Sequence, residues 1–351
     1  MRVAREVEGA VADLIPVIVC IDVEPDERVP VRDRRRPWVG YQQLQRRLAD
    51  LRPLLPGLGS SARFSWFLRM DPQIDDIYGT PAWGAVTYRA QMDDALAEGD
   101  ALGLHVHPFR QRDGLPGWVA ECGDQAWVDH CLDVSLTAFE TAWGRPCTSV
   151  RFGDGWMNDA TMARLEASGI RHDLTLEPGK YEPRGIRPWE PMTGAGPDLR
   201  SLPREPYRPS VVDFRRPDPA RTDGLWIIPV TTGRLRPSLA RLRRLYRAIL
   251  RPRWITSESL VLNPALSPPL FRDLLDQALE SPTTRLLVLG VRSDAGLTPW
   301  RLTHVSRNLE ALGRGGRRAA LALCTPAAAL GALGLGAPQR SPLAPALARG
   351  V

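Results

Sequence analysis

The sequence predicts an α/β protein built as one deformed (β/α) barrel. Three observations point there. Apolar, β-branched runs alternate with helical patterns along most of the 351 residues, the order that parallel strands with crossover helices require. The first run, Ile15 to Ile21, is apolar throughout, as in a strand buried inside a sheet. Clusters of acidic, histidine and arginine residues follow three of the runs, where the loops after barrel strands build active sites.

Taken in order, Ile15–Ile21 reads as a strand and, after a charged loop, Tyr41–Leu55 as a helix. Phe64–Leu68 is the second strand. Pro81–Glu98 fits a helix with Thr80 as N-cap and a proline at the first helical position, where an N–H is not needed. Leu102–His107 is the third strand. Gln125–Trp143 is helical, with Trp127, Cys131, Val134 and Ala138 spaced by four, three and four. Ser149–Phe152 makes a fourth strand, Asp159–Ser168 a helix closed by Gly169, and Ile170–Leu176 a fifth strand. Between 178 and 223 periodicity lapses and prolines crowd, which predicts an irregular insertion of the kind that is usually functional. Strands then follow at Leu225–Val230, Leu260–Leu262, Arg285–Val291 and Ala319–Leu323. Between them lie helices at Leu239–Leu250, Pro268–Leu279 and Thr303–Leu312. Residues 1–335 read as one domain and 336–351 as a loose tail.

Composition narrows the function. With 43% hydrophobic and 25% charged residues the chain can bury a core and is not disordered overall. The formal charge is +6, and of the 46 basic residues only Lys180 is a lysine. The arginines are spread along the chain, whereas a nucleic-acid binder clusters its charge on one face, so no nucleic-acid partner is expected. The arginine-rich stretch Arg241–Arg251 reads as a solvated amphipathic face. Five cysteines without a C-x-x-C pair indicate neither a zinc knuckle nor a disulfide framework and suit a reducing compartment. The apolar stretch Leu14–Ile21 runs into acidic residues, unlike a signal peptide. Thr325 and Pro326 break the stretch Ala319–Ala337, and a membrane span needs about 18 uninterrupted apolar residues. A soluble, cytoplasmic protein with no membrane span is the expectation.

The first cluster is Asp22-Val23-Glu24, whose two carboxylates share one side of an extended chain. Alone, such a pair is ordinarily a solvated acidic loop. The second is His105-Val106-His107, likewise on one strand face, and two imidazoles with a carboxylate suit a divalent cation. Only five histidines occur in the chain, which makes chance packing of two here a poor explanation. His130, in mid-helix, is an ordinary packing histidine. The third is Arg151-Phe152-Gly153-Asp154-Gly155-Trp156, in which glycines permit close backbone approach and an arginine can orient a carboxylate. Its plain alternative is a turn with a surface ion pair.

In this order the clusters resemble the polysaccharide deacetylase superfamily of chitin, chitooligosaccharide and peptidoglycan deacetylases. That family runs from an acidic motif after the first strand, through a histidine motif after the third, to an arginine and glycine motif followed by a helix, a glycine and a strand. Arg151-Phe152-Gly153-Asp154-Gly155 and Met162 to Ile170, with Gly169, match the last element. The resemblance implies a deformed (β/α) barrel of the polysaccharide deacetylase type. It places Asp22 on the catalytic-base aspartate, Glu24 on a metal-binding acid and His105 on the first metal histidine. Two departures stand out. The family's second metal histidine comes four residues after the first, where this chain has Phe109, leaving His107 as the substitute. The late strand that carries the family's general-acid histidine reads Leu287 to Asp294 here and contains none.

The implied function is metal-dependent hydrolysis of an N-acetyl group on an amino sugar or related amide. Glu24, His105 and His107 are expected to hold a divalent metal, zinc first. Asp22 is expected to act as base and Arg151 to orient it. Arg292 is given an electrostatic role, and Asp294, facing the same pocket, is the candidate acid, with His304 dispensable. Asp154, Trp156 and Asp71 are the expected substrate-binding residues, and a carbohydrate is the expected partner. The alternatives are a metal-independent amidohydrolase or glycoside hydrolase using Asp22 and Glu24 directly, or a catalytically impaired carbohydrate-binding pseudoenzyme.

Overall fold

Strand β1 (Leu14–Val23) is buried from Pro16 onward, and its two faces serve different cores. Val17, Val19, Ile21 and Val23 join the large core beneath the surrounding helices. Ile18 and Cys20 point the other way, into a smaller apolar cluster with Phe67, Leu174, Ile228, Val230, Val288, Ala329 and Leu330. Burying each such aliphatic side chain is worth about 1.5–3 kcal/mol, which sets the register of the strand firmly. By the period-two alternation of a strand, Asp22 and Glu24 continue the row of Ile18 and Cys20. The computed structural model describes residues 14–28, 30–31, 34–112, 117–181, 192–241, 259–313 and 320–336.

The main sheet has eight strands, in the order β12 (Leu287–Arg292), β1, β2 (Ser65–Arg69), β3 (Ala101–Val106), β6 (Ser149–Phe152), β7 (His172–Asp173) and β9 (Trp226–Ile227). β13 (Ala320–Leu323) pairs with the first residues of β1, and every pairing in this sheet is parallel. The ladder is not closed by regular strands. Beyond β9 the chain continues to Thr231, whose N–H donates to Val288 O at 2.9 Å and whose Oγ1 accepts from Val288 N at 2.8 Å. These bonds link the two ends of the curled sheet into the deformed (β/α) barrel that the sequence predicts. Antiparallel β4 (Phe109–Gln111) and β5 (Trp118–Glu121), with β8 (Met192–Thr193) beside β5, form a small second sheet. β10 (Thr232–Gly233) pairs with β11 (Leu260–Val261).

Several elements differ from expectation. The strand read over Ile170–Leu176 is regular only at His172–Asp173, because Phe152 N donates to the Thr175 hydroxyl instead of to a backbone carbonyl. The helix expected over Pro81–Glu98 is two, Trp83–Thr87 and Arg89–Ala97, broken at Tyr88, whose hydroxyl accepts from Trp38 N at 2.7 Å. A further helix, Pro72–Tyr78, precedes them, with Asp71 as its N-cap. The helix read at Thr303–Leu312 begins at Pro299, so His304 lies inside it, and a further helix, Pro326–Ala332, follows β13. The insertion is irregular yet packed where it is described: Tyr207 bridges to Ile227 and donates its hydroxyl to Phe214 O. The helix read at Leu239–Leu250 lies outside the described residues beyond 241, as does the tail beyond 336. Among the described residues no helix is long and apolar enough to cross a membrane.

Register is what builds the site. Arg292 stands opposite Asp22, Arg69 opposite His105, and His105 opposite Arg151, all at the C-terminal ends of adjacent parallel strands. Below them the barrel interior is apolar; at this level it becomes polar.

Candidate active site and metal centre

Glu24, His105 and His107 converge. Glu24 Oε2 lies 3.9 Å from His105 Nε2 and 3.7 Å from His107 Nε2, and the two Nε2 atoms are 3.0 Å apart. A triangle with these sides has a circumscribed radius of about 2.1 Å, the length of a zinc bond to nitrogen or oxygen. All three residues are buried, and they could hold a metal ion. The His105 ring is oriented by a contact of 2.8 Å between Nδ1 and Arg151 O. A carbonyl can only accept, so Nδ1 carries a hydrogen, and Nε2 is the nitrogen that faces the triangle.

The groups that could hold a cation lie among strong charges. Burial by itself pushes the Glu24 carboxyl up, but Arg292, then His105, His107 and Arg69, hold it well below the usual carboxylate range. Arg292 Nε donates to Glu24 Oε1, and Arg69 Nη1 lies 3.4 Å from Oε2. Burial, followed by the nearby Arg69 and His105, holds His107 well below the ordinary histidine value. The Glu24 backbone is fixed through Ser293, whose Oγ accepts from Glu24 N at 3.3 Å and donates to Glu24 O at 3.2 Å.

Asp22 lies beside the triangle, with Oδ1 at 3.8 Å from His105 Nδ1. Arg151 Nε donates to that same oxygen at 2.8 Å, and Arg151 Nη1 donates to Leu174 O at 2.7 Å. Gly290 makes room for this guanidinium, since a Cβ there would lie 3.1 Å from Arg151 Nη2. Cys20, one step deeper, is no nucleophile: burial pushes its thiol up to about 12.

Asp22, Glu24, His105, His107, Arg151, Asp154 and Arg292 line one cavity of about 190 Å³. Three expected residues stand elsewhere. Asp294 is turned away and pairs with Arg301 at 2.9 Å, because the strand ends at Arg292 and the chain enters a 3₁₀ turn, Ser293–Leu297. Asp71 is fully buried beneath the site. It holds Arg69 at 2.5 Å, caps the helix Pro72–Tyr78 through Gln73 N and accepts from His107 N at 3.2 Å. Trp156 packs into the core beside Phe152.

Arg28, Glu177, Lys180 and Asn263 also line the cavity and were not singled out in the sequence. Lys180 carried a signal, being the only lysine of the chain and lying inside the proline-rich insertion. Its Nζ donates to Asp154 O at 3.2 Å and lies 3.0 Å from Glu177 Oε2. Arg69, at the end of β2, was equally readable as a strand-end cation.

No family model matches the sequence, and no curated protein matches it. Solved structures do. A provisionally assigned glycoside hydrolase/deacetylase from Parabacteroides distasonis aligns with a TM-score of 0.50 and 12% identity over 89% of this chain and 70% of its own. A provisionally assigned polysaccharide deacetylase from Mycobacterium smegmatis aligns at 0.46 and 14% over 91% and 89%, respectively. A 4-alpha-glucanotransferase from Thermococcus litoralis aligns at 0.47 and 12% over 91% of this chain but only 40% of its own. At such identities the likeness is one of fold, and fold alone does not assign chemistry.

Proposed function

We propose that the protein is a divalent-cation-dependent amide hydrolase that removes the acetyl group from an N-acetylated amino sugar. The observation that carries this reading is the placement of an arginine-held carboxylate, Asp22, beside the buried triangle of Glu24, His105 and His107 in one cavity. Asp22, Glu24 and His105, which the sequence resemblance assigns to base and metal positions, meet there, with His107 standing in for the family's second metal histidine. Glu24, His105 and His107 would hold the ion, and two nitrogens with one oxygen suit zinc. When bound, the cation supplies Lewis-acid activation of water and of the amide carbonyl.

The chain's own groups do the rest. Asp22 accepts the proton of the attacking water, and the hydrogen bond from Arg151 keeps one carboxylate oxygen fixed while the other faces the reaction. Arg69 and Arg292 keep Glu24 anionic. Asp22 then passes that proton to the departing amine and returns to its carboxylate form, a role for which Asp294 is too far out of the cavity. The alternative of glycoside hydrolysis needs a carboxylic acid protonated at working pH. Glu24 sits between two guanidinium groups and is held anionic, which disfavours it as that acid.

Acetate release from N-acetylated sugars tests the proposal, comparing zinc-loaded protein with protein stripped by a chelator. Release that depends on zinc is expected. Release that survives stripping would overturn the metal-dependent reading, and zinc uptake without any release would favour a binding protein.

A further inference from the structure

The turn after β6 does more than lead into the next helix. Asp154 has φ 59° and ψ 8°, and it is the only described residue other than glycine with a left-handed backbone. Such a conformation is uncommon for a residue with a Cβ and is retained where the surroundings enforce it. Here the surroundings are the His107 ring. A Cβ on Gly153 would lie 2.0 Å from His107 Cε1, so the glycine backbone forms the surface against which the ring rests. The ring also stacks on Phe109, with centroids 4.9 Å apart and planes inclined by 6°. The Asp154 carboxylate then meets the ring edge, with Oδ2 at 3.6 Å from Nδ1, while Arg28 pairs with Oδ1 and Lys180 donates to the Asp154 carbonyl.

We infer that Asp154 is a positioning residue for His107 rather than a contact for substrate. The inference rests on the metal reading above. Asp154 Oδ2 stands 3.6 Å from His107 Nδ1, on the ring edge away from the Nε2 that faces His105 and Glu24. For His107 to act as a ligand through Nε2 the hydrogen must stand on Nδ1, where Asp154 is the acceptor waiting for it. The Gly153-Asp154-Gly155 turn thereby fixes a histidine that comes only two residues after the first and lets it serve as the third ligand.

Zinc affinity, measured by competition with a chelating dye, and thermal midpoint without zinc should be compared in wild type, Asp154→Gly and Asp154→Asn. Glycine accepts the left-handed backbone without strain but carries no acceptor. The expected result is a zinc dissociation constant raised about 10- to 100-fold in Asp154→Gly, with a thermal midpoint equal to or above that of wild type. Asparagine tolerates the same backbone and keeps an acceptor oxygen, so Asp154→Asn should bind zinc more tightly than Asp154→Gly. Affinity within about threefold of wild type in Asp154→Gly, well short of the effect of losing such a partner, would overturn the inference. So would a fall in thermal midpoint that accompanies the loss in both variants. Wild-type protein that takes up no zinc would overturn the metal reading and the inference with it; uptake at equal affinity in all three would overturn the inference alone.

Discussion

Arg151 reaches from β6 to the carboxylate of Asp22 on β1, with 2.8 Å between Nε and Oδ1, and spends a second donor on Leu174 O. Both residues are buried, and the guanidinium is held charged by Asp22 against the cost of its burial. Asp22→Asn keeps the shape and removes the base. Turnover should fall by about 10²- to 10⁴-fold, the usual worth of a general base, while zinc content stays at the wild-type level. Loss of zinc in this variant, read by elemental analysis, would make Asp22 a ligand and not the base.

Arg151→Lys should be nearly as damaging, because an ammonium cannot hold Asp22 and Leu174 O in one planar fork. A drop of at least about tenfold in kcat with little change in zinc affinity is expected, at roughly 1.4 kcal/mol per factor of ten. Wild-type kcat would show that Asp22 needs no such support.

Gly153→Ala tests the packing of the site without touching its charges. The new Cβ would lie 2.0 Å from the His107 ring, which is itself stacked on Phe109. Overpacking of this kind costs about 1–3 kcal/mol. Denaturant unfolding should show a loss of that size together with weaker zinc binding, and an unaltered midpoint would mean that the ring yields easily.

Stability should also carry the signature of Asp173, a buried carboxyl outside the cavity. Burial pushes it up to about 7 from an ordinary value of 3.8. Its folded form therefore binds a proton more tightly than its unfolded form. The associated stability is fully present below about pH 4 and is lost as pH rises to about 7, by at most ~4 kcal/mol at 1.36 kcal/mol per unit. Asp173→Asn should gain stability relative to wild type at pH 8, and the difference should shrink at pH 4. A difference independent of pH between those values would remove the titration from the account.

Asp294→Asn should leave turnover within about twofold of wild type, since the carboxylate lies outside the cavity, and should cost no more than a partly exposed ion pair with Arg301, about 0–1 kcal/mol. A loss comparable with that of Asp22→Asn would return Asp294 to the site.

The contrast between Glu24 and Asp294 shows how far the sequence can be read. Both were expected in one pocket, Glu24 by strand alternation, and both lie just past a strand end. Alternation survives at Glu24 because Ser293 ties its backbone to the neighbouring strand end on both sides. It fails at Asp294 because the chain has already turned into a 3₁₀ helix. Trp156 is displaced for a similar reason, by the left-handed turn at Asp154. The clusters after β1, β3 and β6 were legible because each is contiguous and the parallel register aligns strand ends. Arg69 and Lys180 each carried a signal but no spacing pattern: register sets Arg69 opposite His105, and the path of an irregular loop brings Lys180 to the cavity.

The central claim is that Glu24, His105 and His107 hold one divalent cation. Anomalous diffraction at the zinc absorption edge, from crystals of the full chain grown with zinc, tests it most directly. One strong peak within about 2.0–2.2 Å of Glu24 Oε2 and both Nε2 atoms is predicted. No peak there, with zinc bound elsewhere or not at all, would contradict the account.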